Sequence, residues 1–183
     1  MRLVDFLDQS PALFSEKAKF VDLDNDLSLS YRQMVDASIK IATLLKEQGV
    51  KRQDIVATYA PNSVAAYCCI FAISRVGAVW LPLNMRNTFE ANRKLIEKSG
   101  AVKLFVDDSV ATAFPELSDT FPGDQLIELN GQRVADIDLR ALSGQALVVD
   151  SQSDVDDGAG LVNLFATGGT TGDSKLAEWG SIT

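Results

Sequence analysis

The chain has 183 residues, 46% hydrophobic and 23% charged, a composition typical of a globular domain with a sizeable core. Seventeen basic and 25 acidic residues give a formal net charge of −8, which argues against binding to nucleic acid or to anionic membranes. The sequence contains no histidine, which excludes a histidine general base or a histidine-ligated zinc site carried by this chain.

The two cysteines, Cys68 and Cys69, are adjacent in an apolar run, with no second pair to complete a thiolate metal site. We expect both to be reduced core residues of a cytoplasmic protein. Asp5 and Asp8 are incompatible with the apolar region of a signal peptide. The most apolar stretch, 65–83, is interrupted by charged and helix-breaking residues, so we expect no membrane span.

The first third of the chain carries clear local signals. An amphipathic stretch from Leu3 to about Lys17 is interrupted by Pro11, and a polar turn between 20–22 and 27–29 predicts a hairpin. Ser30 then begins a helix with the spacing of a capping box, and that helix ends near a glycine.

Further strands and helices alternate along the rest of the chain. The pattern predicts strands at 54–59, 78–81, 103–106, 125–129, 146–149 and 161–165. It predicts helices from about 64 to Gly77 and from Phe89 to Ser99, partly helical structure over 109–117, a short helical turn at 137–142 and an exposed acidic loop at 151–160. This alternation indicates an α/β fold with a mostly parallel sheet flanked by helices, in which ligands bind beyond the carboxyl ends of the strands.

The predicted strand at 161–165 leads directly into a loop rich in glycine and threonine. Its glycines allow the backbone amides to approach an anion, its threonines add hydroxyl donors, and a lysine adds a mobile positive charge. Together these groups could hold the β- and γ-phosphates of a nucleotide; a flexible polar connection is the alternative. The candidate phosphate-binding residues are Thr167, Gly168, Gly169, Thr170, Thr171, Gly172 and Lys175.

The loop is not a Walker A loop, because Lys175 lies three positions after Gly172 and is followed by Leu176. It resembles instead the phosphate-binding signature of the adenylate-forming enzymes, Tyr-Thr-Ser-Gly-Thr-Thr-Gly-x-Pro-Lys-Gly in general form. Two upstream blocks, 29–34 and 76–84, are similar to further blocks of that family, so the resemblance runs from about Leu3 to the loop. The departures are Gly168 for serine, Ser174 for proline and Leu176 for glycine.

The resemblance implies the N-terminal subdomain of the adenylate-forming fold, with residues 1–183 forming a partial AMP-binding domain that ends just after the phosphate loop. It implies a parent enzyme that uses ATP, Mg²⁺ and coenzyme A to convert a small carboxylic acid into a thioester. The catalytic residues of relatives lie further along their chains, so none is assigned here and the isolated chain is expected to be inactive. Pro82, Leu83 and Asn84 resemble the acyl-CoA synthetase branch; Asn84 and Arg86 are interpreted as holding the loop after their strand.

Two alternatives remain open at the level of sequence. One is an adenylation domain of a nonribosomal peptide synthetase. The other is a short non-catalytic module that binds a nucleotide or acts as a scaffold. We also expect the isolated chain to self-associate, because a sheet built to pack against a second subdomain would leave apolar surface and strand edges exposed.

Overall fold

The predicted alternation of strands and helices is present in the computed structural model, which describes residues 3–14, 19–144, 160–167 and 175–180. The helices are α1 (Leu3–Leu13), α2 (Tyr31–Glu47), α3 (Val64–Val76), α4 (Phe89–Ser99), α5 (Asp108–Ala113) and α6 (Leu117–Thr120). The strands are β1 (Lys19–Asp22), β2 (Leu27–Ser30), β3 (Ile55–Tyr59), β4 (Val79–Pro82), β5 (Lys103–Asp107), β6 (Leu126–Asn130), β7 (Arg133–Val134), β8 (Ile137–Asp138), β9 (Leu161–Thr167) and β10 (Lys175–Gly180).

The main sheet confirms the predicted mostly parallel arrangement. Within the described ranges its strand order is β10-β9-β4-β3-β5-β6-β7-β8. The five central strands, from β9 to β6, are parallel, whereas β10 runs antiparallel to β9 and β7 antiparallel to β6. Strands β1 and β2 form a separate antiparallel hairpin, as the polar turn between them predicts.

Helices cover both faces of this sheet. Alternate residues of β3 point to opposite sides, so that Val56 packs with the core beneath α2 and α3, while Ala57 packs with the core beneath α4, α5 and α6. On β5, Phe105 packs in the first of these cores and Leu104 in the second. The side chains of all four residues are at most 2% exposed. Burial on both faces explains why the central strands are almost continuously apolar in sequence.

The helix ends follow the local sequence signals closely. Ser30 accepts a hydrogen bond from the Gln33 N–H (3.3 Å), and the Gln33 side chain accepts one from the Ser30 N–H (2.9 Å), which completes the predicted capping box. Thr88 caps α4 through the N–H of Ala91. Gly77 ends α3 in the left-handed region, with φ of +74°, where a side chain would be strained.

The adjacent cysteines are buried in the core, in agreement with the prediction. Both are fully inaccessible and free, and the Cys68 thiol lies 3.5 Å from the sulfur of Met34. Burial raises the pKa of Cys68 to about 12 and that of Cys69 well above its ordinary value. The thiolate is the reactive form, so both cysteines are structural residues of the native core.

The structure differs from the sequence prediction near the end of the main sheet. The short helical turn expected over 137–142 is instead the two-residue strand β8, paired antiparallel with β7, and only Leu139–Ala141 form a 3₁₀ turn. Strand β10 had no signal in the sequence. The strand predicted at 146–149 and most of the predicted acidic loop at 151–160 lie outside the described residues. No helix in the described ranges is long and apolar enough to cross a membrane.

Asp22 connects the β1–β2 hairpin to the start of α3. Its carboxylate is almost fully buried and accepts hydrogen bonds from the N–H of Val64 (3.0 Å), the N–H of Asn25 (3.1 Å) and the Asn25 side chain (3.0 Å). Burial raises the pKa of Asp22, but the hydrogen bonds from Asn25, Val64 and Asp24 outweigh it, so the net shift of the pKa is downward.

This lowered pKa predicts an acid-dependent loss of stability. The stabilisation is complete above the unfolded-state pKa of about 3.9 and is lost as the pH falls through the lower folded-state pKa. We expect Asp22→Asn to lower the urea midpoint at pH 7 and to flatten its dependence on pH between 4 and 2. Asp24→Asn removes the same charge from the same turn and serves as the control. Equal pH profiles for the two variants would contradict this role of Asp22.

Candidate functional site

The predicted phosphate loop connects two paired strands. Strand β9 ends at Thr167 and β10 begins at Lys175, and these two residues are directly opposite each other in the antiparallel ladder. Strands β9 and β10 are therefore antiparallel neighbours that the segment 168–174 joins in sequence. Of the predicted site residues, the structure places Thr167 and Lys175 together at the base of this loop, with the Lys175 side chain exposed. The remaining predicted residues, Gly168, Gly169, Thr170, Thr171 and Gly172, lie outside the described residues.

The described end of β9 lies at the carboxyl edge of the parallel strands. Because β9, β4, β3 and β5 run in the same direction, Thr167 lies at the same edge as Pro82, Tyr59 and Asp107, the last residues of those strands. Ligands of open α/β sheets bind at this edge. The described ends of the glycine–threonine loop, Thr167 and Lys175, therefore lie at this edge, and the phosphate-binding role of the loop stays a prediction.

The loop that follows β4 is held by a buried asparagine. Asn92 on α4 is fully buried; its side chain donates to the Asn84 carbonyl (3.0 Å) and accepts from the side chain of Asn87 (2.9 Å). The Asn84 side chain in turn accepts from the N–H of Arg86 (2.9 Å). This network confirms that Asn84 holds the loop after its strand. Asn92 was not identified from the sequence, although an asparagine on the face of α4 that also buries Leu95 and Ile96 is the signal that could have revealed it.

Two further polar side chains lie at the same edge, at the ends of β5 and β3. Asp107, 8% exposed, accepts hydrogen bonds from the N–H and hydroxyl of Ser109 and so caps α5. The hydroxyl of Tyr59 is buried and has no hydrogen-bond partner among the described residues. Its ring stacks on Phe114 at a centroid distance of 6.0 Å, and Phe114 stacks on Phe89 at 5.4 Å. Neither side chain was identified from the sequence.

Aromatic contacts join the loop-bearing hairpin to the rest of the sheet. Phe165 on β9 makes edge-to-face contacts with Trp80 on β4 (6.4 Å between centroids) and with Trp179 on β10 (6.0 Å). The Trp80 indole N–H donates to the hydroxyl of Thr58 on β3 (2.9 Å). Four neighbouring strands are thereby linked across one face, which limits the freedom of the hairpin to move relative to β3.

Residues 7–179 match the family of AMP-binding enzymes, which covers most of the chain. The chain belongs to that family. It is 29% identical to an indoleacetate–CoA ligase of Aromatoleum aromaticum over 180 residues, which is 97% of this chain and 34% of the ligase. It is also 32% identical to enterobactin synthase component F of Escherichia coli O157:H7 over 96 residues, 52% of this chain and 7% of that protein.

The solved structures agree on the fold of this AMP-binding chain. The N-terminal domain of FACL13 from Mycobacterium tuberculosis superposes with a TM-score of 0.73 and 20% sequence identity, over 98% of this chain and 44% of that one. The chain therefore has the N-terminal part of the fold of adenylate-forming enzymes, as the sequence resemblance indicated. It spans about a third, or less, of the length of the curated relatives described above.

Proposed function

We propose that the protein carrying this chain is an acid–thiol ligase that activates a carboxylic acid with ATP and transfers the acyl group to coenzyme A. The observation that carries this proposal is the 29% sequence identity to an indoleacetate–CoA ligase, which extends over 97% of the chain. The position of Thr167 and Lys175, opposite each other at the carboxyl edge of the sheet, supports a phosphate-binding role for the loop between them.

In the proposed first step, a carboxylate oxygen of the acid attacks the α-phosphorus of ATP, and the bond from that phosphorus to the pyrophosphate oxygen breaks. In the second step, a thiolate attacks the acyl carbon and AMP departs. The role of this chain is to bind the leaving pyrophosphate through the amides of 168–172, the threonine hydroxyls and the ammonium group of Lys175. Mg²⁺ bound to the ATP phosphates would withdraw further charge from them, and we assign it no ligand in this chain.

We propose that residues 1–183 are part of a larger AMP-binding domain. Because the chain spans only 34% of the indoleacetate–CoA ligase, the acid pocket and further catalytic groups are expected in sequence that corresponds to the rest of that relative. The isolated chain is accordingly expected to lack activity. The free, buried Cys68 and Cys69 support a cytoplasmic location, which fractionation of the cells would test.

The second candidate is an adenylation domain of a peptide synthetase. The similarity to enterobactin synthase component F favours it, whereas the ending Pro82-Leu83-Asn84 after β4 favours the CoA ligases. Both candidates form an acyl-adenylate and differ in the thiol that accepts the acyl group. A product thioester of coenzyme A supports the ligase, and transfer only to a carrier-protein thiol supports the synthetase.

The test is acid-dependent exchange of labelled pyrophosphate into ATP, measured with the natural full-length protein and a panel of aliphatic, aromatic and amino acids. We expect exchange with at least one aliphatic or aromatic acid and, on addition of coenzyme A, formation of its thioester. Binding of ATP without exchange for any acid would contradict the enzyme proposal and favour a non-catalytic nucleotide-binding module.

We further propose that the isolated chain self-associates through β10. Among the described residues this strand lies at one edge of the main sheet, most of its side chains are exposed, and Trp179 is 58% exposed. An open edge with an exposed aromatic residue is a template for pairing with a second chain. Light scattering of the 183-residue chain should give a mass above that of the monomer. Trp179→Lys should lower this mass towards that of the monomer. A monomer at high concentration would contradict the proposal.

A further inference from the structure

Gln53, in the turn before β3, adopts a backbone conformation that is unusual for its residue type. Its φ is +67°, in the left-handed region that glycine populates readily and glutamine does not. The Gln53 N–H donates to the carbonyl of Gly77 (2.9 Å), which holds the turn against the end of α3. Strained residues of this kind persist where the surrounding structure fixes them, so the contacts of this side chain indicate what the conformation achieves.

The side chain of Gln53 pairs with the backbone of Leu161, the first residue of β9. The Gln53 amide nitrogen donates to the Leu161 carbonyl (3.1 Å), and the Leu161 N–H donates to the Gln53 side-chain oxygen (2.9 Å). A carboxamide offers the same donor and acceptor as a peptide group. The Gln53 side chain therefore makes the kind of hydrogen bonds with Leu161 that the backbone of a neighbouring strand would make, although the two residues are 108 positions apart.

The contact of Gln53 with Leu161 lies beside a short stretch of backbone pairing. Strand β9 pairs with β4 at Asn163 and Trp80. Two residues before Trp80, the Ala78 N–H donates to the carbonyl of Ile73 at the end of α3 (3.1 Å), so this N–H is not available to β9. The carboxamide of Gln53 adds a pair of hydrogen bonds at the first residue of β9.

Gly160 makes this close approach possible. A Cβ at position 160 would lie 2.8 Å from the Gln53 side-chain nitrogen, closer than Cβ contacts are normally found. The absence of a side chain at 160 therefore lets the carboxamide reach the backbone of Leu161. Two residues far apart in sequence, Gln53 and Gly160, are matched to each other at this point.

We propose that Gln53 is a positioning residue for the phosphate loop, because its pairing with Leu161 fixes the register of β9 and hence the position of Thr167 at the other end of that strand. This inference rests on the phosphate-binding role proposed for the loop. A strand rises about 3.3 Å per residue, so a slip of β9 by two residues, which keeps its side chains on the same faces, would move the base of the loop by about 7 Å.

The test compares Gln53→Gly with Gln132→Ala in the natural full-length protein. Glycine accepts φ of +67°, so Gln53→Gly should fold with an unchanged or higher thermal midpoint while losing both hydrogen bonds to Leu161. Gln132→Ala also removes a side-chain-to-backbone bond across the fold, from the Gln132 amide to the Asn25 carbonyl (2.8 Å), but does so away from β9.

We expect Gln53→Gly to accelerate hydrogen–deuterium exchange at the Leu161 amide by at least about tenfold and to raise the KM for ATP in pyrophosphate exchange by about tenfold, with a smaller effect on kcat. Gln132→Ala should leave both quantities at their wild-type values. Wild-type protection of Leu161 in Gln53→Gly would overturn the pairing, and lost protection with an unchanged KM for ATP would overturn the positioning role. A wild-type protein without pyrophosphate exchange would contradict the proposed function. In that case the deuterium exchange at Leu161 still tests the pairing of Gln53 with Leu161.

Discussion

Lys175→Ala in the natural full-length protein is expected to slow pyrophosphate exchange by about a hundred- to a thousandfold. This decrease corresponds to the ~3–4 kcal/mol of transition-state stabilisation that is lost when one preorganised donor to an anionic group is removed. Lys175 begins β10 opposite Thr167, so its position is set by the hairpin ladder. Its ammonium group is proposed to stabilise charge that develops on the pyrophosphate as the bond to the α-phosphorus breaks. The decrease should therefore appear mainly in kcat.

Two variants accompany this measurement. Lys175→Arg retains the charge and should recover part of the rate, since a planar guanidinium group cannot place its charge where a compact ammonium group does. Lys46→Ala removes a lysine from the last turn of α2, close in sequence to the amino end of β3, and should not change the rate. Wild-type exchange in Lys175→Ala would remove Lys175 from the proposed role without affecting the family assignment.

Asp8→Ala is expected to lower the free energy of unfolding by about 2–4 kcal/mol, because it leaves the partly buried guanidinium group of Arg75 without its carboxylate. The Arg75 guanidinium donates to both Asp8 oxygens (3.1 and 2.6 Å) and also to the Ser38 hydroxyl (3.0 Å). The two charged side chains are 10% and 23% exposed, so water replaces only part of the lost interaction. This pair joins α1 to α2 and α3.

Chemical denaturation of three variants measures this effect. Asp8→Ala combined with Arg75→Met should recover part of the loss, because it leaves no unpaired charge near the core. Lys94→Ala, which breaks an exposed pair with Glu90 (3.8 Å), is the control and should have little effect. If Asp8→Ala lowers the free energy of unfolding no more than Lys94→Ala does, the bidentate pair does not hold α1 in place.

The features that sequence predicted well are local. The capping box at Ser30 and the ends of α3 at Gly77 and of α4 at Ser99 each depend on residues within about one helical turn, and all three are present. The apolar runs of the central strands were equally clear, because burial on both faces requires apolar side chains at nearly every position.

The features that sequence did not reveal depend on distant pairing. Strand β10 carries mixed polar and apolar residues and is extended because it pairs with β9. The two-residue strands β7 and β8 are too short for any periodic pattern. The polar contacts of Gln53 with Leu161 and of Arg75 with Asp8 join residues 108 and 67 positions apart. In sequence, glutamine, arginine and aspartate at these positions are indistinguishable from ordinary surface residues.

By itself, then, the sequence determined the α/β class, the ends of the main helices and the family, because each is encoded in residue types at short, fixed spacing. The assignment of the glycine–threonine loop to phosphate binding stays a prediction from the same kind of signal. Only the tertiary structure decided that Thr167 and Lys175 are opposite each other at the carboxyl edge and that Asn92 holds the loop after β4. It also revealed the pairing of Gln53 with the start of β9. The physical reason is that strand order and long-range hydrogen bonds depend on how the whole chain packs, and no short segment of sequence specifies them.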